Sequence, residues 1–126
     1  MQIRIYYEDT DAGGVVYHTN YIKYCERARS QMFYDDGKKL GENNCHFVVK
    51  KIEAEYFKPA LLGDLIEVKT EVLELKGASV NVLHTIYRGE EKLFCAKILI
   101  VFVSNFKPVK LTEEMREFFN KYFSAF

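Results

Sequence analysis

The chain has 126 residues, too few for two ordinary domains and enough to bury a core without a disulfide or metal staple, so residues 1–126 read as one domain. Eighteen Lys and Arg balance eighteen Asp and Glu, which excludes a nucleic-acid binder that works through a basic surface. A content of 48% hydrophobic against 29% charged residues excludes a disordered chain.

Cys25, Cys45 and Cys95 are widely spaced and form no Cys-x-x-Cys pair. Neither a zinc framework nor a disulfide scaffold is expected, and the thiols read as reduced and the protein as cytoplasmic. Charge arrives at Arg4 with no apolar stretch behind it, so no signal peptide is expected. The longest apolar run, Ile98 to Val103, falls far short of the roughly 20 residues of a membrane span.

Ile3, Ile5 and Tyr7 alternate with Arg4 and Tyr6, which predicts a strand over 2–8. Glu8 to Thr19 reads as a loop carrying Gly13-Gly14. From Asn20 the period changes: Tyr21, Cys25, Ala28 and Met32 form a helical stripe that Ile22 and Phe33 widen. A helix over about 20–36 follows, with Thr19 or Asn20 as its cap and Gly37 in the left-handed position beyond its end. Residues 38–46 are polar and read as a loop.

Phe47 to Phe57 reads as a strand ended by Pro59, and 64–76 as the next strand. There Ile66, Val68, Thr70 and Val72 share a face, and the parity flips to Leu73 and Leu75, which predicts a bulge near Val72. Gly77-Ala78 turns the chain into a strand over 79–87, and Arg88 to Glu91 turns it back. Leu93 to Val103 is apolar on both parities except at Lys97, the pattern of a central strand buried on both faces. Thr112 caps a last helix whose first turn holds Glu113 and Glu114; its apolar face runs through Met115, Phe118, Phe119, Tyr122, Phe123 and Phe126.

The expected class is α+β: an antiparallel five-stranded sheet wrapped around one long helix, with a C-terminal helix. Only that short last helix remains to cover the opposite face of the sheet, so self-association is expected.

The chemistry concentrates in Tyr6 to Tyr21, where acids, two glycines and His18 precede the long helix. A helix start offers unpaired N–H groups and a positive dipole end, able to polarise a carbonyl oxygen, and Asp11, seven residues before His18, could face that carbonyl from the other side. Asp9-x-Asp11-x-x-Gly14 resembles the opening of a calcium loop, but Gly13 holds the fifth position and Asn20 the twelfth, where a bidentate Glu is needed. A strand followed by Asp-x-Asp also suggests a haloacid-dehalogenase phosphatase, which needs a larger doubly wound domain and a second acid that Gly63-Asp64 does not supply. A turn whose acids only cap backbone N–H groups stays open on the residues alone.

The run Tyr7-Glu8-Asp9-Thr10-Asp11-Ala12-Gly13-Gly14-Val15-Val16-Tyr17-His18-x-Asn20-Tyr21, continuing into Glu26-Arg27-Ala28-Arg29, resembles the YbgC-type acyl-CoA thioesterases. These form the Tol–Pal-associated branch of the 4-hydroxybenzoyl-CoA thioesterase family. Phe57-x-Pro59-Ala60-x-x-Gly63-Asp64 resembles that family's second motif. The resemblance covers the whole chain and implies a hotdog fold, dimers and often tetramers, and hydrolysis of an acyl-CoA without metal or redox cofactor.

It places the catalytic carboxylate on Asp11 and the carbonyl-polarising backbone N–H on His18. The His18 side chain is a second candidate, able to orient water or shuttle a proton. Asp9 and Glu8 read as loop-shaping or solvated, Asp64 as a turn residue, and His46 and His84 as outside the chemistry. Lys50, Lys51, Lys58, Arg88 and Lys92 are the candidate cations for the CoA phosphates, none of them assigned. Two alternatives remain: a hotdog hydratase or dehydratase using His18 with Asp11, and a non-enzymatic scaffold that binds acyl-carrier protein or an envelope-complex partner.

Overall fold

The structure, a computed structural model, describes residues 1–38 and 45–123. Its elements are β1 (Gln2–Arg4), a 3₁₀ turn (Tyr7–Asp9), α1 (Asn20–Asp35), β2 (Cys45–Tyr56), β3 (Leu65–Leu75), β4 (Ser79–Arg88), β5 (Glu91–Ser104), β6 (Lys107–Pro108) and α2 (Glu113–Asn120). The strands pair antiparallel in the order β1-β3-β4-β5-β2, and the two-residue β6 adds to β5 beyond the five expected strands.

One face of the sheet holds α1. Ile66, Val68, Val82, Ile86, Phe94, Ala96 and Ile98 from the strands and Tyr24, Cys25 and Ala28 from the helix are buried in a single core. The stripe read from the sequence is the face that packs. The end of α1 is also as read: Gly37 has φ +72°, its N–H donates to the Tyr34 carbonyl, and the Lys38 N–H reaches back to Phe33. This is a Schellman ending, which needs the left-handed residue that glycine supplies without strain.

Several expectations are corrected. The first strand stops at Arg4, because the Tyr6 N–H turns to the Asp9 carboxylate and the chain coils into the 3₁₀ turn, leaving Tyr6 and Tyr7 exposed. Cys45 and His46 belong to β2; the rest of the expected loop, residues 39–44, lies outside the described residues. A bulge between Val49 and Lys51 in β2 was not foreseen, whereas the one near Val72 is present, between Val72 and Glu74. β5 is interior to the sheet, yet its outward side is only partly covered: Cys95, Leu99 and Val101 are half-buried and Lys97 is exposed.

The C-terminal helix does not cover the opposite face. Phe118 stacks on Phe33 of α1 at 4.7 Å between centroids, and Phe119 meets Phe47 edge-on at 5.8 Å, so α2 closes the end of the same core as α1. Thr112 caps α2 by accepting the Met115 N–H. The helix ends at Asn120 rather than continuing through Phe123, because the chain there leaves to pair with β3. Beyond the short β1 that strand has a bare edge, and the Tyr122 carbonyl accepts the Val72 N–H at 2.7 Å. Phe126 lies outside the described residues. Among the described residues no helix is long and apolar enough to cross a membrane.

Candidate active site

The loop between the 3₁₀ turn and α1 doubles back on itself. Thr10 pairs with Val16, the Asp11 N–H donates to the Val15 carbonyl at 2.8 Å, and the Gly14 N–H donates to the Asp11 carbonyl at 3.1 Å. Gly14 closes this tight hairpin at φ +79°, a conformation costly for residues with a Cβ. Asp11 is thus held at an exposed tip, where its Oδ1 accepts the Gly13 N–H at 2.8 Å.

Asp9 is the fixed point of the loop, as a loop-shaping acid should be, and it is buried, so the solvated reading is corrected. Its carbonyl accepts the Tyr17 N–H at 3.0 Å and the Asn20 side-chain amide at 2.9 Å, while its carboxylate accepts the Tyr6 N–H. The hydroxyl of Tyr24, fully buried, has no hydrogen-bond partner among the described residues. Burial first, and the Asp9 carboxylate second, push its pKa well above the usual phenol range. Glu8 is exposed.

Neither expected cap forms at the start of α1. Thr19 occupies the cap position in helical conformation without a side-chain hydrogen bond, and the Asn20 amide is spent on Asp9. No acid sits in the first turn. The neighbouring Tyr17 N–H is taken by Asp9, whereas the His18 N–H has no acceptor among the described residues. The His18 ring is exposed and lies 4.5 Å, centroid to centroid, from that of Tyr17.

His18 opens onto a cleft of about 220 Å³ lined also by Val16, Tyr21, Tyr56, Phe57, Lys58 and Pro59. Asp11 stands on the neighbouring hairpin tip and does not line this cleft within one chain. Tyr56, which the sequence reading missed, donates its hydroxyl to the His18 carbonyl at 2.6 Å. An aromatic on the last residue of a strand before Pro59 was the available signal, and strand alternation alone does not single it out.

The Phe57–Asp64 motif is a brace for the loop. Its backbone takes the Val16 N–H onto the Ala60 carbonyl and gives the Leu62 N–H to the Gly14 carbonyl. The Ala60 N–H in turn donates to the Tyr21 hydroxyl at 2.9 Å. Asp64 closes the brace, accepting the Leu61 N–H at 2.8 Å and an Arg88 N–H at 2.6 Å on one oxygen. Burial works to raise its pKa, but the Leu61 amide and Arg88 outweigh it and hold the carboxyl below the ordinary range.

Arg88 also binds Glu91, and Lys58 binds the other oxygen of Glu91 at 2.7 Å. Two of the five candidate phosphate cations are therefore already neutralised at the cleft. Lys51 pairs with Glu53 at 2.8 Å, Lys50 sits exposed at the β2 bulge, and Lys92 lies over the Phe57 ring at 5.4 Å. His84 is fully buried and His46 exposed, both away from the loop. Among the described residues no three His, Cys, Asp or Glu side chains converge as a metal-ligand set.

The thioesterase-like superfamily profile matches residues 6–119. The chain is 37% identical to the acyl-CoA thioesterase YbgC of Helicobacter pylori, over 95% of this chain and 98% of that protein. It is 40% identical to the acyl-CoA thioester hydrolase YbgC of Escherichia coli, over 83% of this chain and 81% of that one. Among solved structures, a probable thioesterase of Bartonella henselae superposes with a TM-score of 0.84 at 34% identity, covering 89% of this chain and 97% of its own.

Proposed function

From the premise that this chain belongs to the thioesterase-like superfamily, in its YbgC branch of acyl-CoA thioesterases, we propose how its loop and helix start divide the hydrolysis of an acyl-CoA. The protein is an acyl-CoA thioester hydrolase with a hotdog fold. The thioester carbonyl lies against the start of α1, and the His18 N–H, aided by the positive end of the helix dipole, takes up the charge that develops on its oxygen. Asp11 supplies the oxygen nucleophile, either by deprotonating water or by attacking the carbonyl to give a mixed anhydride that water then opens. CoA thiolate departs without strong acid assistance.

The observation that carries this reading is the uncapped start of α1 with the unbonded His18 N–H at the edge of a cleft. Ordinary helix starts satisfy such donors with a side chain. Here Asn20, the side chain best suited to the task, is turned away to Asp9. A hydratase or dehydratase would need the His18 ring as its acid or base; the ring is exposed against Tyr17 and makes no hydrogen bond to Asp11 among the described residues. Assay of the purified protein against a panel of acyl-CoAs, with detection of the released thiol, tests the function. Release from none of them, or hydration of an enoyl-CoA instead, would overturn it.

The working unit is at least a dimer. β2 is a 12-residue edge strand, and Val49, Ile52 and Tyr56 on its helix-facing side are 42–51% exposed in one chain. An edge this long and apolar is a template for another chain. A partner there would also wall the open cleft beside Tyr56 and Phe57. Light scattering at micromolar concentration is expected to return at least twice the 14.8 kDa of one chain; a monomer mass would count against this arrangement.

Exhaustive chelation is expected to leave turnover unchanged. Asp9 is buried and committed to the Tyr6 N–H, no set of three metal-ligating side chains converges at Asp11 and His18 among the described residues, and a cation on Asp11 would lower its basicity. Activity lost to chelator and restored by zinc or magnesium would replace the carboxylate mechanism by metal-activated water.

A further inference from the structure

His18 is gripped on both of its peptide planes. On its N-terminal side the Tyr17 carbonyl accepts the Asn20 N–H at 2.9 Å and the Tyr17 N–H is fixed to Asp9, which sets the plane carrying the His18 N–H. On its C-terminal side the His18 carbonyl accepts the Tyr56 hydroxyl at 2.6 Å, a contact that crosses from β2 to the start of α1. No other hydrogen bond to that carbonyl occurs among the described residues, so Tyr56 is its tether to the sheet. The two planes meet at the His18 Cα, so a shift of the tethered carbonyl, and with it of the start of α1, displaces the Cα beside which the His18 N–H lies.

The ring of Tyr56 is itself held. It stands edge-on to Tyr21, with centroids 5.4 Å apart, and to Phe94 at 4.9 Å. Burial, and then the neighbouring Tyr21 and Cys25, raise its pKa, so the hydroxyl remains a donor at neutral pH. An aromatic ring with two χ angles, locked by two others, is a stiffer strut than a long polar side chain.

We infer that Tyr56 is a positioning residue for thioester hydrolysis, which keeps the His18 N–H in place for the substrate carbonyl by tethering the His18 carbonyl, and so the start of α1, to β2. The inference rests on the reading that this N–H polarises the thioester. The hydroxyl is engaged by the backbone, so it is not offered to the substrate as a binding group. Tyr56 therefore affects the chemical step more than ground-state binding.

Tyr56→Phe keeps the ring and its aromatic contacts and removes only the hydroxyl. On the best acyl-CoA of the panel, kcat is expected to fall about tenfold, less than the loss of a direct oxyanion donor and in keeping with a small misplacement of one. KM, the affinity for a non-hydrolysable thioether analogue of the same acyl-CoA, and the thermal midpoint are expected to stay within about twofold or about 2 °C of wild type. Phe turnover within twofold of wild type overturns the inference. A rise in KM with kcat unchanged also overturns it, because Tyr56 would then be a uniform binding contact. A wild-type protein that turns over no acyl-CoA fails on the thioesterase reading itself and takes this inference with it, an outcome distinct from an active wild type with an equally active variant.

Discussion

Asp11→Asn is expected to lower kcat on an acyl-CoA by at least about 100-fold, with the fold and thermal midpoint preserved. The structure makes this substitution unusually clean. Asp11 is exposed, and among the described residues its one side-chain hydrogen bond is the Gly13 N–H accepted by Oδ1, which an Asn oxygen accepts equally well. The hairpin is otherwise held by backbone bonds at Asp11, Val15 and Gly14 that the side chain does not touch. What Asn cannot do is take a proton from water or attack a carbonyl. The two routes open to the carboxylate thus fail together, and the His18 N–H is left to polarise a thioester that no activated oxygen reaches. Near wild-type turnover, in a sample whose mass excludes deamidation back to Asp, would remove Asp11 from the mechanism.

Asp11→Ala offers a second check on the same geometry. It loses the Asx-type bond to Gly13 as well as the carboxylate, so any excess loss of stability over the Asn variant measures the turn and not the chemistry. Equal activity loss in both variants places the effect on the carboxylate.

The parts legible in the sequence are those governed by local periodicity. The α1 stripe follows from helical periodicity, β3 and its bulge near Val72 from a period-two alternation that flips, and β5 from an apolar run on both parities, signals strong enough to survive tertiary context. What escaped depends on side-chain hydrogen bonds that the apolar pattern does not carry, some local and some between residues far apart. Residues 5–8 alternate as a strand should, but the Asp9 carboxylate three residues on competes for the Tyr6 N–H and wins. Asp9 looks like any loop acid until Tyr24, on the helix, is seen to bury the same site. Thr19 and Asn20 are good caps by type, yet Thr19 makes no side-chain hydrogen bond and the Asn20 amide is drawn away to the Asp9 carbonyl.

The cations behave similarly. Lys58, Arg88 and Glu91 are up to 33 residues apart, and no local pattern reveals that they meet beside Asp64 to brace the loop. Arg88 is one of five unassigned phosphate candidates in the sequence and a structural strut in the fold. Tyr56 escaped for the converse reason. Its hydroxyl acts on a backbone carbonyl 38 residues away, and nothing in the pattern of β2 marks it from a strand aromatic that simply packs.

Acidification from pH 7.5 to pH 5 is expected to cost the wild-type protein about 2 kcal/mol of folding stability through His84 alone. His84 lies on β4 under α1, fully buried, with Nε2 3.1 Å from Arg29 Nη1 and Nδ1 3.0 Å from Thr70 Oγ1. A guanidinium only donates, so Nε2 is the acceptor and the single ring proton sits on Nδ1, directed at Thr70. Burial first, and the Arg29 charge second, push the imidazole pKa down from 6.5 to about 3. A base whose folded pKa is depressed stays neutral while its unfolded counterpart takes up a proton. The unfolded state therefore gains from every fall in pH below about 6.5, at up to about 1.4 kcal/mol per unit, until the folded pKa is reached. Stability present at pH 7.5 is lost on the way down, in the window between those two pKa values. The carboxylates held low by their partners, Asp36, Glu53, Asp64 and Glu91, lose their share below about pH 4.5, so the interval from 7.5 to 5 lies above their titration. His84→Gln is the control: its amide oxygen can accept from Arg29 and its NH₂ can donate to Thr70, yet it does not titrate. Denaturant midpoints measured at one protein concentration, since association itself shifts them, should fall steeply for wild type and remain nearly level for the Gln variant. Parallel pH dependence in the two proteins would show that His84 is protonated in the folded state, and the pairing of a buried neutral imidazole with Arg29 would have to be abandoned.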